Sequence, residues 1–386
     1  MKKALLLIVA VLSGCAVLNA APLPQVKLIH SGIICDTVED ALSPGAMAIA
    51  PNGDYLLTFQ NKGDNGPGAF TYIVRSKDHG KTWGKPEVFA KPAHSKQGIS
   101  AGICNIPGSR ELMVIVNRTD YDNDSPNPFD WNSRVGHVEL YTTDADAKKF
   151  TLVAKLKSAP KSLPANMGYL TRLANGDLVL PAYTYFYGMD KVEGETYGSG
   201  WWRSTDNGKS WGDFELVFKD RPDGFYWKEM FNESGYVVRD DGITVGYCRT
   251  DKVAPGYQFM TISSDHGKTW SRPIRSGRQS MDVPLMVKLD DHKGFLMIGG
   301  WREQPLNVVS ILYSPDGISW DLIGKAFYQP DNGHTPMNSA TGGCQSLVKG
   351  PGKHQYFLAF YAHDPKLPGR HKTRIEGNMI ELVFPE

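Results

Sequence analysis

Glu233 and Arg249 stand sixteen residues apart, with the hairpin-like stretch GYVVRDDGITVGYC between them and Asn232 just ahead of the acid. A carboxylate and a guanidinium flank that stretch, the residue types of an acid–base or anion-gripping pair. An isolated pair of this kind is an ordinary surface salt bridge; where strand ends converge it becomes a candidate site pair. A second carboxylate, Asp64, sits in the loop Gly63-Asp64-Asn65-Gly66-Pro67-Gly68. Its plain alternative is a solvated loop residue. Two carboxylates facing one pocket are what glycoside hydrolysis needs, one as acid and the other as base or nucleophile. Further candidates are Arg302 in Gly-Gly-Trp-Arg-Glu, Cys344 in Gly-Gly-Cys-Gln-Ser, His334 in Asp-Asn-Gly-His and, more weakly, Arg118 in Asn-Arg-Thr-Asp. The run Tyr183-Thr184-Tyr185-Phe186-Tyr187, with Trp201 and Trp202, either stacks on sugar rings or fills an interior interface.

The elements that must position these residues are signalled by a repeat. Ser76–Trp83 (SKDHGKTW), Ser204–Trp211 (STDNGKSW) and Ser263–Trp270 (SSDHGKTW) share the pattern S-x-D-x-G-x-(T/S)-W, and Ser314–Trp320 (SPDGISW) is one residue shorter. The pattern suits a tight turn between strands. The Asp accepts hydrogen bonds from nearby backbone N–H and hydroxyl groups, Gly takes a backbone angle other residues avoid, and Trp packs beneath. The starts at 76, 204, 263 and 314 leave a double gap after the first. A degenerate copy is expected near residue 140, where Thr142 to Phe150 closes on an aromatic. A period of about 50 to 65 residues is that of a four-stranded propeller blade.

Each unit also opens alike, with an apolar strand, a tight turn and a second apolar strand. The openings are AMAIAPNGDYLLTF from Ala46, AGICNIPGSRELMVIVNR from Ala101, GYLTRLANGDLVLPAY from Gly168, GYVVRDDGITVGYCR from Gly235, PLMVKLDDHKGFLMIGGWR from Pro284 and QSLVKGPGKHQYFLAFY from Gln345. Six units follow, with one leftover strand at Gln25–Ile34. Its pairing with the closing strand Asn378–Phe384 would seal the ring. The fold expected is all-β, a six-bladed β-propeller of four-stranded antiparallel blades, in a single domain over residues 21–386.

Residues 1–20 read as an export signal: Lys2 and Lys3 precede an apolar run from Ala4 to Leu12. Leu12-Ser13-Gly14-Cys15 resembles a bacterial lipobox, with Cys15 the lipidated residue; cleavage near Ala20-Ala21 is the rival reading. The product is expected in the periplasm, on the outer membrane or secreted, touching membrane only through that anchor. With 42 Lys and Arg against 41 Asp and Glu, net charge is +1, which argues against nucleic acid or an anionic lipid surface as partner. Cys35, Cys104, Cys248 and Cys344 show no C-x-x-C spacing and suggest no metal site. They read as buried thiols, with one disulfide the alternative. No cofactor is expected, and a monomer is.

The repeated turn resembles the Asp-box of the sialidase (neuraminidase) superfamily, and the resemblance spans nearly the whole mature chain. It implies that Glu233 activates a tyrosine nucleophile, that Arg249 grips a sugar carboxylate bidentately, and that Asp64 protonates the leaving oxygen. Arg302 would stand in for a further arginine of that clamp. Two departures are plain. Leu42 or Ser43 occupies the place of the family's first arginine, and Cys344 occupies that of the tyrosine; a thiol serves there only when deprotonated. The activity implied is exo-hydrolysis of a terminal sugar, sialic or otherwise acidic, from a glycan or oligosaccharide. The alternatives are a propeller that binds carbohydrate without turnover, and a polysaccharide lyase using a His/Tyr pair that would draw on His334.

Overall fold

The computed structural model describes residues 22–42, 45–62, 66–121, 134–156, 162–166, 169–186, 197–219, 231–250, 257–279, 281–289, 291, 293–301, 308–327, 346–370 and 372–385. Strand β1 (Gln25–Cys35) comes first and is used last. Blade one is then β2 (Met47–Ile49), β3 (Tyr55–Gln60), β4 (Thr71–Ser76) and β5 (Glu87–Ala90). Blade two is β6 (Gln97–Asn105), β7 (Leu112–Tyr121), β8 (Arg134–Thr143) and β9 (Phe150–Leu156). In blade three the first strand is split into β10 (Ser162–Asn166) and β11 (Thr171–Arg172), both paired to β12 (Leu178–Phe186), followed by β13 (Tyr197–Ser204) and β14 (Phe214–Lys219).

Blade four runs β15 (Phe231–Val238), β16 (Thr244–Thr250), β17 (Tyr257–Ser263) and β18 (Ile274–Gln279). Blade five runs β19 (Met281–Lys288), β20 (Phe295–Trp301), β21 (Val308–Ser314) and β22 (Asp321–Lys325). Blade six is β23 (Ser346–Lys349), β24 (Gln355–His363) and β25 (Thr373–Val383), with β1 as its outer strand. Gln25 opposes Val383 and Ser31 opposes Asn378, so the chain closes on itself as the leftover strand implies. The split in blade three is a difference from the expected single strand. Four residues separate Asn166 from Thr171, whereas only two separate their partners Ala182 and Val179.

Why these strands read as nearly unbroken apolar runs is a matter of two buried faces. Successive side chains alternate, and each face meets a different neighbour. Tyr55, Leu57 and Phe59 of β3 pack toward blade six, against Phe357, Ala359 and Ile375. Leu56, between them, packs toward blade two with Ile99, Ile103 and Val114. Phe295 and Met297 of β20 join Val245 and Tyr247 of blade four, while Leu296 and Ile298 join Leu358 and Phe360 of blade six. Trp201 and Trp202 divide in the same way, and both are buried. Trp201 lies against Tyr236 and Trp270 in the junction of blades three and four, and Trp202 against Phe214 on the side facing blade two. A sugar-stacking role for these two indoles is thereby excluded.

The repeated sequence motifs form the turns between third and fourth strands. In the first, the Ser76 hydroxyl donates to Asp78 (2.8 Å) and accepts from the Gly80 N–H (2.8 Å). Asp78 also accepts from the Thr82 N–H (2.9 Å) and hydroxyl (2.6 Å). Asp206 and Asp265 repeat this pattern. The shorter copy keeps the Ser314–Asp316 bond. At the degenerate copy Asp144 accepts from Lys148 and Lys149 N–H. Two consecutive residues, not only the glycine, are left-handed: His79 (φ 59°) with Gly80 (83°), Asn207 (62°) with Gly208 (88°), His266 (60°) with Gly267 (78°). Asn and His are among the side chains that tolerate this region.

The Thr82 hydroxyl, with further hydrogen bonds from the Thr82 N–H and the Ser76 hydroxyl, holds the Asp78 carboxyl at about 2 against the opposing effect of burial. Ser210 does the same for Asp206, also at about 2. Both lie below the ordinary value of about 3.9 in an unfolded chain. Their contribution is therefore fully present above about pH 4 and is lost as pH falls through about 2. Asp206→Asn is expected to lower Tm at pH 7 and to flatten the fall in Tm between pH 4 and pH 2, as read by calorimetry across that range.

Candidate active site

Antiparallel order places the start of each first strand, the end of each second and the start of each third at one end of a blade. The tight turns lie at the other. Glu233, Arg249 and Asp282 all belong to the first of these ends, at the junction of blades four and five.

Both first strands there begin with a bulge. In β15, Phe231 opposes Thr250 and Ser234 opposes Cys248, so Asn232 and Glu233 together face the single residue Arg249. In β19, Asp282 opposes Gly300 and Leu285 opposes Ile298, so Val283 and Pro284 face Gly299. A two-against-one bulge re-aims side chains that a regular pleat would send to alternate faces. Glu233 Oε2 accepts from Arg249 Nη1 at 2.9 Å and from the Val283 N–H at 2.8 Å. Arg249 Nε lies 3.0 Å from Asp282 Oδ1. The side chains of Glu233, Arg249 and Asp282 are 13%, 9% and 3% exposed. Among the described residues, no donor meets Glu233 Oε1.

The N–H that reaches Glu233 comes from a strained residue. Val283 has φ 47°, and a β-branched side chain in the left-handed region is a genuine outlier costing on the order of 1–3 kcal/mol. The surrounding contacts hold it there. Gly235 lets blade five approach so closely that an added Cβ would stand 2.1 Å from the Pro284 carbonyl oxygen. The buried Tyr169 hydroxyl bridges the two bulged strands, 3.2 Å from both the Ser234 and Pro284 carbonyl oxygens. Asn232 Oδ1 accepts from the Glu233 N–H (2.6 Å), and the Ser199 and Ser234 hydroxyls join blade three to blade four (2.6 Å).

Arg118, the blade-two candidate, occupies a separate cluster. Its Nε donates to Glu139 Oε2 at 2.6 Å and its Nη1 to Gln97 Oε1 at 3.2 Å. Burial opposes ionisation of Glu139, but hydrogen bonds from Arg118, Tyr141 and His137 outweigh it and hold the carboxyl at about 2. Asp64, Arg302, His334 and Cys344 lie outside the described residues. So does Ser43, whereas Leu42 is buried and pairs with Gln60. Tyr183 packs against the core shared by blades five and six, and the side chains of Tyr185, Phe186 and Tyr187 lie outside the described residues. Cys35, Cys104 and Cys248 are buried, the Cys248 thiol lying 3.6 Å from the Asn232 carbonyl oxygen, and burial pushes Cys104 up to about 12.

Sequence reasoning brought Glu233 and Arg249 together correctly and missed Asp282 and Val283. One signal was present. Met281-Asp282-Val283-Pro284 opens blade five as Phe231-Asn232-Glu233-Ser234 opens blade four, with an acid close to the same place.

No family model matches the sequence, and no curated protein does. Solved structures do match in fold. A protein of unknown function from Dyadobacter fermentans superposes with a TM-score of 0.72 at 17% identity, covering 93% of this chain and 100% of its own. A Trypanosoma rangeli sialidase gives 0.59 at 13%, over 89% of this chain and 55% of that one. A Penicillium chrysogenum α-L-arabinanase complexed with arabinobiose gives 0.57 at 14%, over 93% and 99%.

Tyr169→Phe removes the hydroxyl between the two bulged strands while keeping the ring. It is expected to destabilise the fold by about 1–2 kcal/mol in denaturant unfolding. The fold, then, is a six-bladed propeller shared with the Trypanosoma rangeli sialidase and the Penicillium chrysogenum arabinanase.

Proposed function

We propose that this chain is an exported glycoside hydrolase that removes a terminal sugar from glycans, with Glu233 as one of its two working carboxylates. The observation that carries the reading is the state of Glu233. One oxygen is fixed by Arg249 and a strained backbone N–H, and the other meets no donor among the described residues, at the blade end where first strands begin. A carboxylate so held keeps its geometry while the second oxygen takes part in proton transfer or attack. Asp64 is proposed as the partner acid that protonates the leaving oxygen, on the strength of its place in the loop after the second strand of blade one. Fold neighbours that include a sialidase and an arabinanase support the general class.

The test is release of a fluorescent aglycone from a panel of exo-glycosides by wild type and by Glu233→Gln. Turnover by wild type with kcat reduced about 10²–10⁴-fold in the variant is the expected result. Glycan binding without turnover by wild type would leave a carbohydrate-binding propeller instead.

Export with lipidation at Cys15 is part of the proposal. Fatty-acid labelling in a bacterial host should mark the wild-type chain and not Cys15→Ser; labelling of neither, with the chain released soluble, would favour cleavage near Ala20-Ala21.

A further inference from the structure

Three arginines on the strands at the site end of the ring are each matched by acids of the chain itself. Arg249 reaches Glu233 through Nη1 and Asp282 through Nε. Arg118, near the end of β7, reaches Glu139 through Nε at 2.6 Å. In blade six, Arg374 at the start of β25 places Nε (2.9 Å) and Nη2 (2.6 Å) on Glu376 Oε1 and Nη1 (3.1 Å) on Asp364 Oδ2, and all three side chains are at least nine-tenths buried. Counted formally, the Glu233–Arg249–Asp282 group carries one net negative charge. The Arg374 group does too.

From this we infer, on the basis of the glycosidase reading above, that the site takes an uncharged sugar, a neutral pentose or hexose, and that Asp282 is the residue that sets this selectivity. A guanidinium grips a carboxylate by presenting two parallel N–H groups to it. In Arg249, Nε and Nη1 already face two carboxylates of the protein. An incoming sugar carboxylate would have to displace one of them, leaving a buried acid without its partner, or settle beside both and meet like charge in a poorly hydrated place. A neutral ring carries no such penalty, and its hydroxyls can donate to Glu233 Oε1. Asp282 is the decisive member because its carboxylate lies 3.0 Å from Nε across the blade boundary, an ion pair without a hydrogen bond at Oδ1, and is almost fully enclosed, so its charge stays beside the guanidinium. It acts through Arg249 and is a positioning residue. The three-arginine grip that the sequence resemblance implies for an acidic sugar lacks its blade-one member and finds Arg249 already engaged.

The experiment compares kcat and KM for neutral aryl pentosides and hexosides with those for an aryl α-sialoside and an aryl β-glucuronide. It uses the full mature chain in wild-type and Asp282→Asn forms. Wild type is expected to favour a neutral glycoside at least a hundredfold in kcat/KM. Asp282→Asn keeps the side-chain shape and removes one negative charge, and should narrow that gap about tenfold, through KM for the acidic glycosides and not through kcat. A gap unchanged in a folded Asp282→Asn overturns the assignment to Asp282. Should that variant fail to fold, the wild-type ratio decides alone, and wild-type preference for either acidic glycoside overturns the inference while leaving the hydrolase reading intact. No turnover of any glycoside, together with no binding of neutral sugars in calorimetry, overturns both.

Discussion

The whole ring depends on the pairing of β1 with β25. Every blade buries two faces, and each face is finished only by the blade beside it. Leu56 and Leu57, adjacent in sequence, belong to different junctions. A blade taken alone would expose both apolar surfaces, and five or six blades in an open arc would still leave two. Closure removes the last pair of open faces and covers the outer edge of β25 in one step. It is achieved by hydrogen bonds between residues at opposite ends of the chain, Gln25 with Val383 through Cys35 with Ile375. Contacts of such sequence separation carry a large loop-closure entropy, so the fold is committed late, once nearly all of the chain has been organised.

Within that frame the site is made by irregularity. Regular strands would carry Glu233 and its neighbours alternately into the two junctions. The bulges at the openings of β15 and β19 break the alternation, turn an acid toward Arg249 and force Val283 into a backbone region it disfavours. The strain is sustained because Tyr169 and the close approach at Gly235 hold the two strands together. Stability made in the junctions is thus used to hold one carboxylate in a fixed pose.

How much of this the sequence discloses follows from how local each feature is. The S-x-D-x-G turns and the hairpins are closed by residues within about ten positions of one another, so their signature is a short string, and the blade count and the ring closure follow from counting them. Glu233 and Arg249 were legible through the resemblance, which rests on their sixteen-residue interval across one hairpin. Asp282 was not. Its partner lies across a blade boundary, and nothing in Met-Asp-Val-Pro announces a bulge or a left-handed valine. The two faces of Trp201 and Trp202 were equally hidden, because only the assembled ring decides that both are interior. Asp64, Arg302, His334 and Cys344 sit in stretches without hydrophobic period, where no pattern constrains position.

The direction of β1 has one more consequence. As the fourth strand of blade six it starts beside Val383, at the end of the blade away from Glu233, and runs toward the end where Glu233 lies. The chain ahead of Gln25 therefore departs from the rim on the side opposite the site. Nine residues lie between Cys15 and Gln25, so ten chain steps make a tether of at most about 35 Å when fully extended. A lipid at Cys15 would tether the ring to a bilayer from the face opposite Glu233, so that anchoring and the Glu233–Arg249 end fall on different sides of the ring.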